Sequence, residues 1–227
     1  MIVSHRHRFV FVKTRKTAGT SIEVFLSPRC GEEDIVTPLE PPEPGHRPRN
    51  FRGLSNPFTA AARREPWLRT AKRFATATRY YNHMPAALVR ERVGATVWGE
   101  YLTFCVERNP WDKVVSMWHM ERSRSGSDLT LRDYLAAGRR LPLNEPLYTD
   151  GSGTVIVDEI LRYEQLDEEL ARVFGRLGVP FPGSLTVRTK AGYGRPKRSY
   201  REAFDEETRG IVARLFAREI ALLGYEF

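Results

Sequence analysis

The chain has 227 residues, 41% hydrophobic and 28% charged, a length and composition that predict one folded domain spanning 1–227 rather than a disordered chain. Its formal net charge of +8 favours an anionic partner such as a nucleotide, an acidic glycan or nucleic acid, with a solvated basic face as the alternative. Two cysteines, Cys30 and Cys105, form no CxxC pair, which argues against a disulfide scaffold and a thiolate metal site.

The N-terminal region predicts a short strand, a turn and a helix. Residues 9–12 are β-branched or aromatic without polar alternation, as is typical of a strand buried on both faces. Residues 13–19 form the turn, and residues 20–26 a helix that ends near Pro28. The apolar run of the strand is too short for a secretory signal or a membrane span, so we expect a cytoplasmic protein.

A proline-rich segment follows at about 37–57, and we expect an excursion within the domain rather than a boundary. Residues 60–78 are helix-prone and rich in arginine. Residues 85–92 predict a further helix, with Pro85 at its first position.

The rest of the chain alternates between the two kinds of element. We expect an α/β fold, with a P-loop-like parallel sheet flanked by helices on both faces. The predicted strands are 101–106 and 155–163, and the predicted helices are 110–122, 128–137, 166–177 and a long amphipathic helix over 205–223.

A phosphate-binding turn is predicted where the first strand meets the first helix. A helix N-terminus presents backbone N–H groups and a partial positive charge, and both attract anions. Gly19 allows close approach of a ligand, and Lys16 adds a cation. It is not a Walker motif, because Lys16 precedes Gly19; an ordinary helix start capped by Thr20 or Ser21 is the alternative. The predicted anion-binding residues are Lys16, Thr17, Ala18, Gly19, Thr20 and Ser21.

A second anion anchor is predicted after the strand 101–106. Arg108 follows this strand, and Pro110 opens the next helix. Ser116 lies nearly two turns into that helix, so its hydroxyl and the Arg108 guanidinium can converge on one anion.

These two segments together resemble the sulfotransferases that use 3′-phosphoadenosine 5′-phosphosulfate (PAPS), most closely the bacterial and Golgi carbohydrate branch typified by heparan sulfate 2-O-sulfotransferase. Residues 16–21 match that family's 5′-phosphosulfate loop, and Arg108 and Ser116 match its 3′-phosphate pair. Weaker likeness extends to 162–166, 200–205 and 216–227. The resemblance implies a P-loop-like fold, no metal, and transfer of a sulfuryl group from PAPS to a hydroxyl or amine of a carbohydrate or small glycoconjugate, leaving adenosine 3′,5′-bisphosphate (PAP).

The catalytic candidates are Lys16, as the cation at the leaving oxygen, and a base for the acceptor hydroxyl. His83 is the favoured base because it lies between the two anchors, where similar family members carry a histidine. A residue that caps or packs at a helix entry is the alternative for His83. His119 is the reserve candidate, and a carboxylate base, Glu23 or Glu100, stays open. His5 and His7 are expected at the surface, and His46 falls in the proline-rich segment.

A basic loop with Lys190, Arg195, Lys197 and Arg198 is a further candidate for the 3′-phosphate and adenine side, with a solvated loop as the alternative. The acceptor is the least determined partner. Basic residues of 63–79 suit an acidic glycan and five aromatic residues suit sugar rings, although helix surface and core are the plainer explanations. The aromatic residues are Trp67, Tyr80, Tyr81, Trp98 and Trp118.

Three rival functions remain. A P-loop kinase or NTPase predicts a Walker lysine and an acidic Mg²⁺ ligand at a strand end, and the lysine is not in that position. A nucleic-acid-binding module fits the basic pI near 9.7, but no RNP, KH, zinc-finger or helix-turn-helix signature is present, so we expect no nucleic-acid partner. A non-catalytic nucleotide-binding member of the same fold is the third.

Overall fold

A five-stranded mixed sheet organises the chain in the computed structural model, which describes residues 1–54, 71–73, 75–138, 141–185 and 199–227. The strands are β1 (Ile2–Ser4), β2 (Phe9–Phe11), β3 (Ile35–Val36), β4 (Leu102–Glu107) and β5 (Glu159–Arg162), in the order β3-β1-β2-β4-β5.

The sheet is parallel only where β2, β4 and β5 lie side by side. β4 pairs in parallel with both β2 and β5, whereas β1 pairs antiparallel with β2 and β3. The expectation of a parallel sheet is therefore wrong for the β3-β1-β2 half. The short apolar segment that opens the chain and the four-residue turn before β2 make a local hairpin, a connection that antiparallel strands accept and parallel strands do not.

Helices cover both faces, as predicted. Those with both ends in the described residues are α1 (Gly19–Leu26), α2 (Ala86–Val93), α3 (Ala95–Glu100), α4 (Pro110–Ser125), α5 (Leu131–Ala136), α6 (Glu145–Tyr148), α7 (Leu166–Arg176), α8 (Glu206–Leu215) and α9 (Ala217–Leu223). Pro85 is the N-cap of α2 rather than its first residue.

The strand residues alternate between two apolar clusters. Phe9, Phe11 and Phe104 pack against α1 and α7 on one face, while Val10 and Cys105 pack against α2 and α6 on the other. A third cluster joins α4, α5, α8 and α9 beside the sheet. Cys105 is fully buried, as expected for a core residue.

Two predicted elements differ in extent. The strand predicted over 155–163 is confined to β5, because residues 149–155 make a turn closed by a bridge between Thr149 and Val155. The helix predicted over 205–223 breaks at Phe216, whose φ of −111° and ψ of 21° end α8. The break buries the Phe216 ring in the third cluster and redirects α9.

No helix within the described ranges is long and apolar enough to cross a membrane. The helix predicted over 60–78 falls mostly on residues that are not described.

Candidate active site

An open cleft of about 1340 Å³ lies at the carboxyl ends of β2, β4 and β5. Its walls come from the turn after β2, from α4 and from residues 163–168 that follow β5. In open α/β sheets this edge is where ligands bind, because the loops that follow neighbouring parallel strands meet there. The cleft brings together both predicted anion anchors and His83.

The turn between β2 and α1, at the position of the predicted anion-binding loop, contains two residues with left-handed backbone conformations. Lys16 and Ala18 have φ of 63° and 59°, in the left-handed region. The first intrahelical bond runs from the N–H of Ile22 to the carbonyl of Ala18, at 3.1 Å, so the N–H groups of Gly19 and Thr20 precede the helical ladder. The N-cap of α1 is Ala18, and Thr20 and Ser21 lie inside the helix, so the alternative of a helix start with either of them as the cap is wrong.

The turn is anchored from beneath by a buried ion pair. Lys13 Nζ lies 2.5 Å from Glu23 Oε2, and both side chains are almost fully buried. Gly19 rests on the stem of Lys13, because a Cβ at Gly19 would lie 2.6 Å from Lys13 Cγ. The Glu23 carboxylate is thereby committed to Lys13, so the alternative of Glu23 as the acceptor's base does not fit.

The Thr14 hydroxyl attaches the same turn to β4, and the Thr17 hydroxyl bonds Thr14 within the turn. The Thr14 hydroxyl bonds the carbonyl of Val106 on β4, and it lies 2.7 Å from the Thr17 hydroxyl. Thr17 is therefore oriented within the turn, and its hydroxyl also donates to the carbonyl of Thr14 at 3.3 Å.

Arg108 lies across the cleft from the turn and contacts it directly. Its Nη1 donates to the carbonyl of Lys16 at 3.1 Å, and its Nε donates to Asp112 Oδ2 at 2.7 Å. The guanidinium carbon lies 4.2 Å from the centre of the Tyr163 ring, a cation–π contact. The side chain is 5% exposed. Arg108 is therefore held in a fixed orientation, and Ser116 lines the same cleft from α4.

His83, the predicted base, lines the cleft as a neutral imidazole. Its Nδ1 lies 3.1 Å from the carbonyl of Lys13. Because a carbonyl only accepts, Nδ1 carries the hydrogen and Nε2 keeps its lone pair in the neutral ring. Burial lowers the pKa of His83 below its ordinary value, and the nearby charges of Lys13 and Arg15 lower it further. The imidazole is consequently uncharged at neutral pH.

The other candidate bases differ in whether they line the cleft. His119 lines the cleft on α4, with its ring 4.7 Å from that of Trp118. Glu100 is exposed, pairs with Arg8 and does not line the cleft, so it does not fit the role of base. His46 lies outside the cleft lining, where burial lowers its pKa to about 4. His5 bonds the Tyr101 hydroxyl at 3.0 Å, also away from the cleft.

Lys16 lines the cleft, with its Nζ 3.7 Å from the sulfur of Met120. The sequence interpretation missed Lys13, Glu107 and Asn144, three buried polar residues at or beneath the site. Charged residues directly after the apolar runs 9–12 and 102–106 were the available signal for Lys13 and Glu107.

Several predicted positions lie outside the described residues. These are the four basic residues of the late loop, Lys190, Arg195, Lys197 and Arg198, and the acceptor candidates Arg63, Arg64, Trp67 and Arg69. Among the residues that are described, no group of three or more His, Cys, Asp or Glu side chains is placed to hold a metal ion.

Comparison with known proteins agrees with the fold. The crystal structure of retinol dehydratase in a complex with retinol and PAP matches 99% of this chain and 84% of its own, with a TM-score of 0.50 and 13% identity. The chain therefore has the α/β sulfotransferase fold.

Sequence comparison adds one relative. A protein of Archaeoglobus fulgidus, described as uncharacterized, is 39% identical over 112 residues, which are 48% of this chain and 93% of the archaeal one. The chain belongs to the same family as this archaeal protein. No protein-family model matches the chain.

Proposed function

We propose that this protein is a sulfotransferase that moves the sulfuryl group of PAPS to a hydroxyl or amine of an acceptor, of the carbohydrate or small-glycoconjugate class. The observation that carries the proposal is the meeting of two anion anchors in one cleft of a sulfotransferase fold. The 16–21 turn and the Arg108–Ser116 pair both line it, beside a histidine that is neutral at physiological pH. Two anchors suit a nucleotide with two separate phosphate groups better than they suit ATP.

Each group of cleft residues would have its own role in the transfer. The N–H groups at the start of α1 would hold the 5′-phosphate, and Arg108 and Ser116 the 3′-phosphate. The acceptor oxygen attacks sulfur in line, its proton passes to Nε2 of His83, and the bond from sulfur to the 5′-phosphate oxygen breaks. Lys16 would stabilise the charge that develops on that oxygen.

The decisive experiment is titration calorimetry of the wild-type protein with PAP, with Mg-ATP and with an oligonucleotide in separate runs. We expect binding of PAP that neither alternative ligand matches. Absence of PAP binding would overturn the proposal, preference for Mg-ATP would favour the kinase reading, and tight, steeply salt-dependent oligonucleotide binding would favour a nucleic-acid module.

An acceptor screen with radiolabelled PAPS then tests transfer itself. We expect Lys16→Ala to lower the transfer rate by ~10²–10³-fold, as for loss of one group that stabilises developing charge. Arg214→Ala is the control, because Arg214 is an exposed basic residue of α8 and lies away from the cleft. Equal rates for the two variants would remove Lys16 from the chemistry.

Membership of the heparan sulfate 2-O-sulfotransferase branch is part of the proposal, and residues 16–21 and 108–116 are its most specific support. A single domain over 1–227, a cytoplasmic location and cofactor contacts from Lys197 and Arg198 are likewise parts of the proposal.

A further inference from the structure

A buried polar cluster lies beneath the cleft and takes no part in the chemistry proposed above. It consists of Glu107 at the end of β4, Lys113 on α4, Asn144 before α6 and Glu219 on α9, and we call it the Glu107 network. The Lys113 and Glu107 side chains are 0% exposed, and that of Glu219 is 2% exposed. Buried charges are retained only where partners compensate their desolvation, so the contacts of this cluster are informative.

The network binds the backbone of the 3′-phosphate anchor. Glu107 Oε1 accepts the backbone N–H of Arg108 at 2.9 Å. The same oxygen accepts Lys113 Nζ at 2.6 Å and Asn144 Nδ2 at 3.1 Å. The position of Arg108 is therefore set by a carboxylate that Lys113 and Asn144 hold in place.

The network also binds the backbone of the 5′-phosphate turn. Asn144 Oδ1 accepts the N–H of Arg15 at 2.8 Å, and Asn144 Nδ2 donates to the carbonyl of Arg15 at 3.1 Å. Arg15 directly precedes Lys16. One fully buried amide side chain thus holds both backbone groups of a turn residue and contacts Glu107 as well.

Glu219 fixes Asn144 in turn. Its Oε1 accepts the backbone N–H groups of Asn144 and Glu145 at 2.8 and 2.9 Å, and its Oε2 accepts Lys113 Nζ at 3.1 Å. Since Arg108 Nη1 donates to the carbonyl of Lys16, the contacts close into a ring that runs through both anchors.

We propose that Glu107 and Asn144 are positioning residues that fix the separation between the two anion anchors, and so select nucleotides that carry phosphates at both the 3′ and the 5′ positions. This inference rests on the proposed function, since it concerns the same nucleotide site. Once one phosphate is bound, capture of the second is intramolecular, and its effective concentration depends on a spacing that matches the ligand. Because the spacing is fixed before the nucleotide binds, the protein also loses less conformational entropy on binding.

The test compares three nucleotides by titration calorimetry: PAP, 5′-AMP and 3′-AMP. We expect Asn144→Ala to raise the Kd for PAP by ~10-fold or more and the Kd for each mononucleotide by less than ~3-fold. Binding of a single phosphate does not depend on the spacing between the anchors. Glu107→Gln keeps the side-chain shape. It should raise the Kd for PAP by ~3–10-fold and the Kd for each mononucleotide by less.

Asp34→Ala is the matched control. Asp34 is a buried residue whose carboxylate joins two backbone segments through the N–H groups of His5 and Gly31, away from the cleft. This variant should lower thermal stability and leave the ratio of PAP to mononucleotide affinity unchanged.

The outcomes separate the inference from the proposed function. If the wild type does not bind PAP, the proposed function fails. Suppose that the wild type binds PAP but both network variants change the affinities for all three nucleotides equally, or change none of them. The positioning role is then overturned and the sulfotransferase proposal stands. Should Asn144→Ala not fold, Glu107→Gln decides alone.

Discussion

His83 shows how a single residue acquires a chemical state from its surroundings. Its backbone lies in the left-handed region, at φ 56°, and its Nδ1 bonds the carbonyl of Lys13. The same Lys13 pairs with Glu23 and supports Gly19. One buried lysine therefore links the conformation of the phosphate turn to the orientation of the proposed base.

The pH dependence of transfer follows from the environment of His83. Its pKa lies below the ordinary value of 6.5, because burial and then the charges of Lys13 and Arg15 disfavour the imidazolium. A base must be unprotonated, so the rate should be at its plateau at pH 7 and fall only when the pH drops through a value below 6.5. The measurement is the transfer rate at saturating PAPS from pH 4.5 to 8; an acid limb centred above pH 6.5 would contradict the assignment.

Replacement of His83 gives the complementary prediction. His83→Ala should lower the transfer rate by ~10²–10⁴-fold, the range typical of general-base loss, with PAP affinity retained. His119→Ala is the matched control, since His119 also lines the cleft. A larger loss in the His119 variant would exchange the roles of the two histidines.

At the scale of elements, the start of α1 combines three requirements in a few residues. The turn needs left-handed residues, a free approach to the helix N-terminus, and a glycine at the point of contact with Lys13. The Gly19 requirement is steric rather than conformational, because the constraint is the close approach of Lys13 Cγ.

Gly19→Ala should therefore destabilise the protein by about 1–3 kcal/mol, as for overpacking of a tight contact, and weaken PAP binding. Gly99→Ala is the control. Gly99 lies in the short helix α3 with nothing within 4 Å of an added Cβ, so alanine there should be neutral or stabilising by ~0.5–1 kcal/mol. Denaturant unfolding of the two variants measures the difference, and equal stabilities would show that the Lys13 contact relaxes freely.

Some of the strands can be predicted from the sequence pattern alone. Apolar runs such as 9–12 and 102–106 predict buried strands because both faces of the sheet are covered. The residues Lys16 to Ser21 and Arg108 to Ser116 predict anion sites, and the structure places both segments in the lining of one cleft. Neither pattern reveals β1, whose three residues are too few for a periodic signal, or the break at Phe216, which depends on packing against distant helices.

The Glu107 network lay beyond prediction for a different reason. Its members come from three separate parts of the chain, 107–113, 144 and 219, and each has an ordinary local explanation, such as a strand end for Glu107 or an amphipathic helix for Glu219. Only the assembled fold shows that Asn144 and Glu107 meet beneath the cleft. Long-range polar contacts of this kind have no periodic signature in one sequence.

For the whole molecule, nucleotide binding should appear as thermal stabilisation. A ligand at 100 times its Kd that binds only the folded state adds about 2.7 kcal/mol, which corresponds to a rise in Tm of ~5–10 °C for a chain of this size. We expect PAP to produce such a shift and 5′-AMP at the same concentration a smaller one. Differential scanning calorimetry is the measurement, and equal shifts from the two nucleotides would contradict a site with two phosphate anchors.

The contacts of Glu219 bear on how the protein matures during synthesis. This residue lies in α9, yet it holds the backbone of Asn144, which in turn holds the turn before Lys16. A nascent chain can complete its β2–β4 pairing while α9 is still inside the ribosome, but Asn144 then lacks the carboxylate that fixes it. We therefore expect the cleft to be completed only after α9 has emerged, so the proposed nucleotide should protect a nascent chain from that point onward and not before.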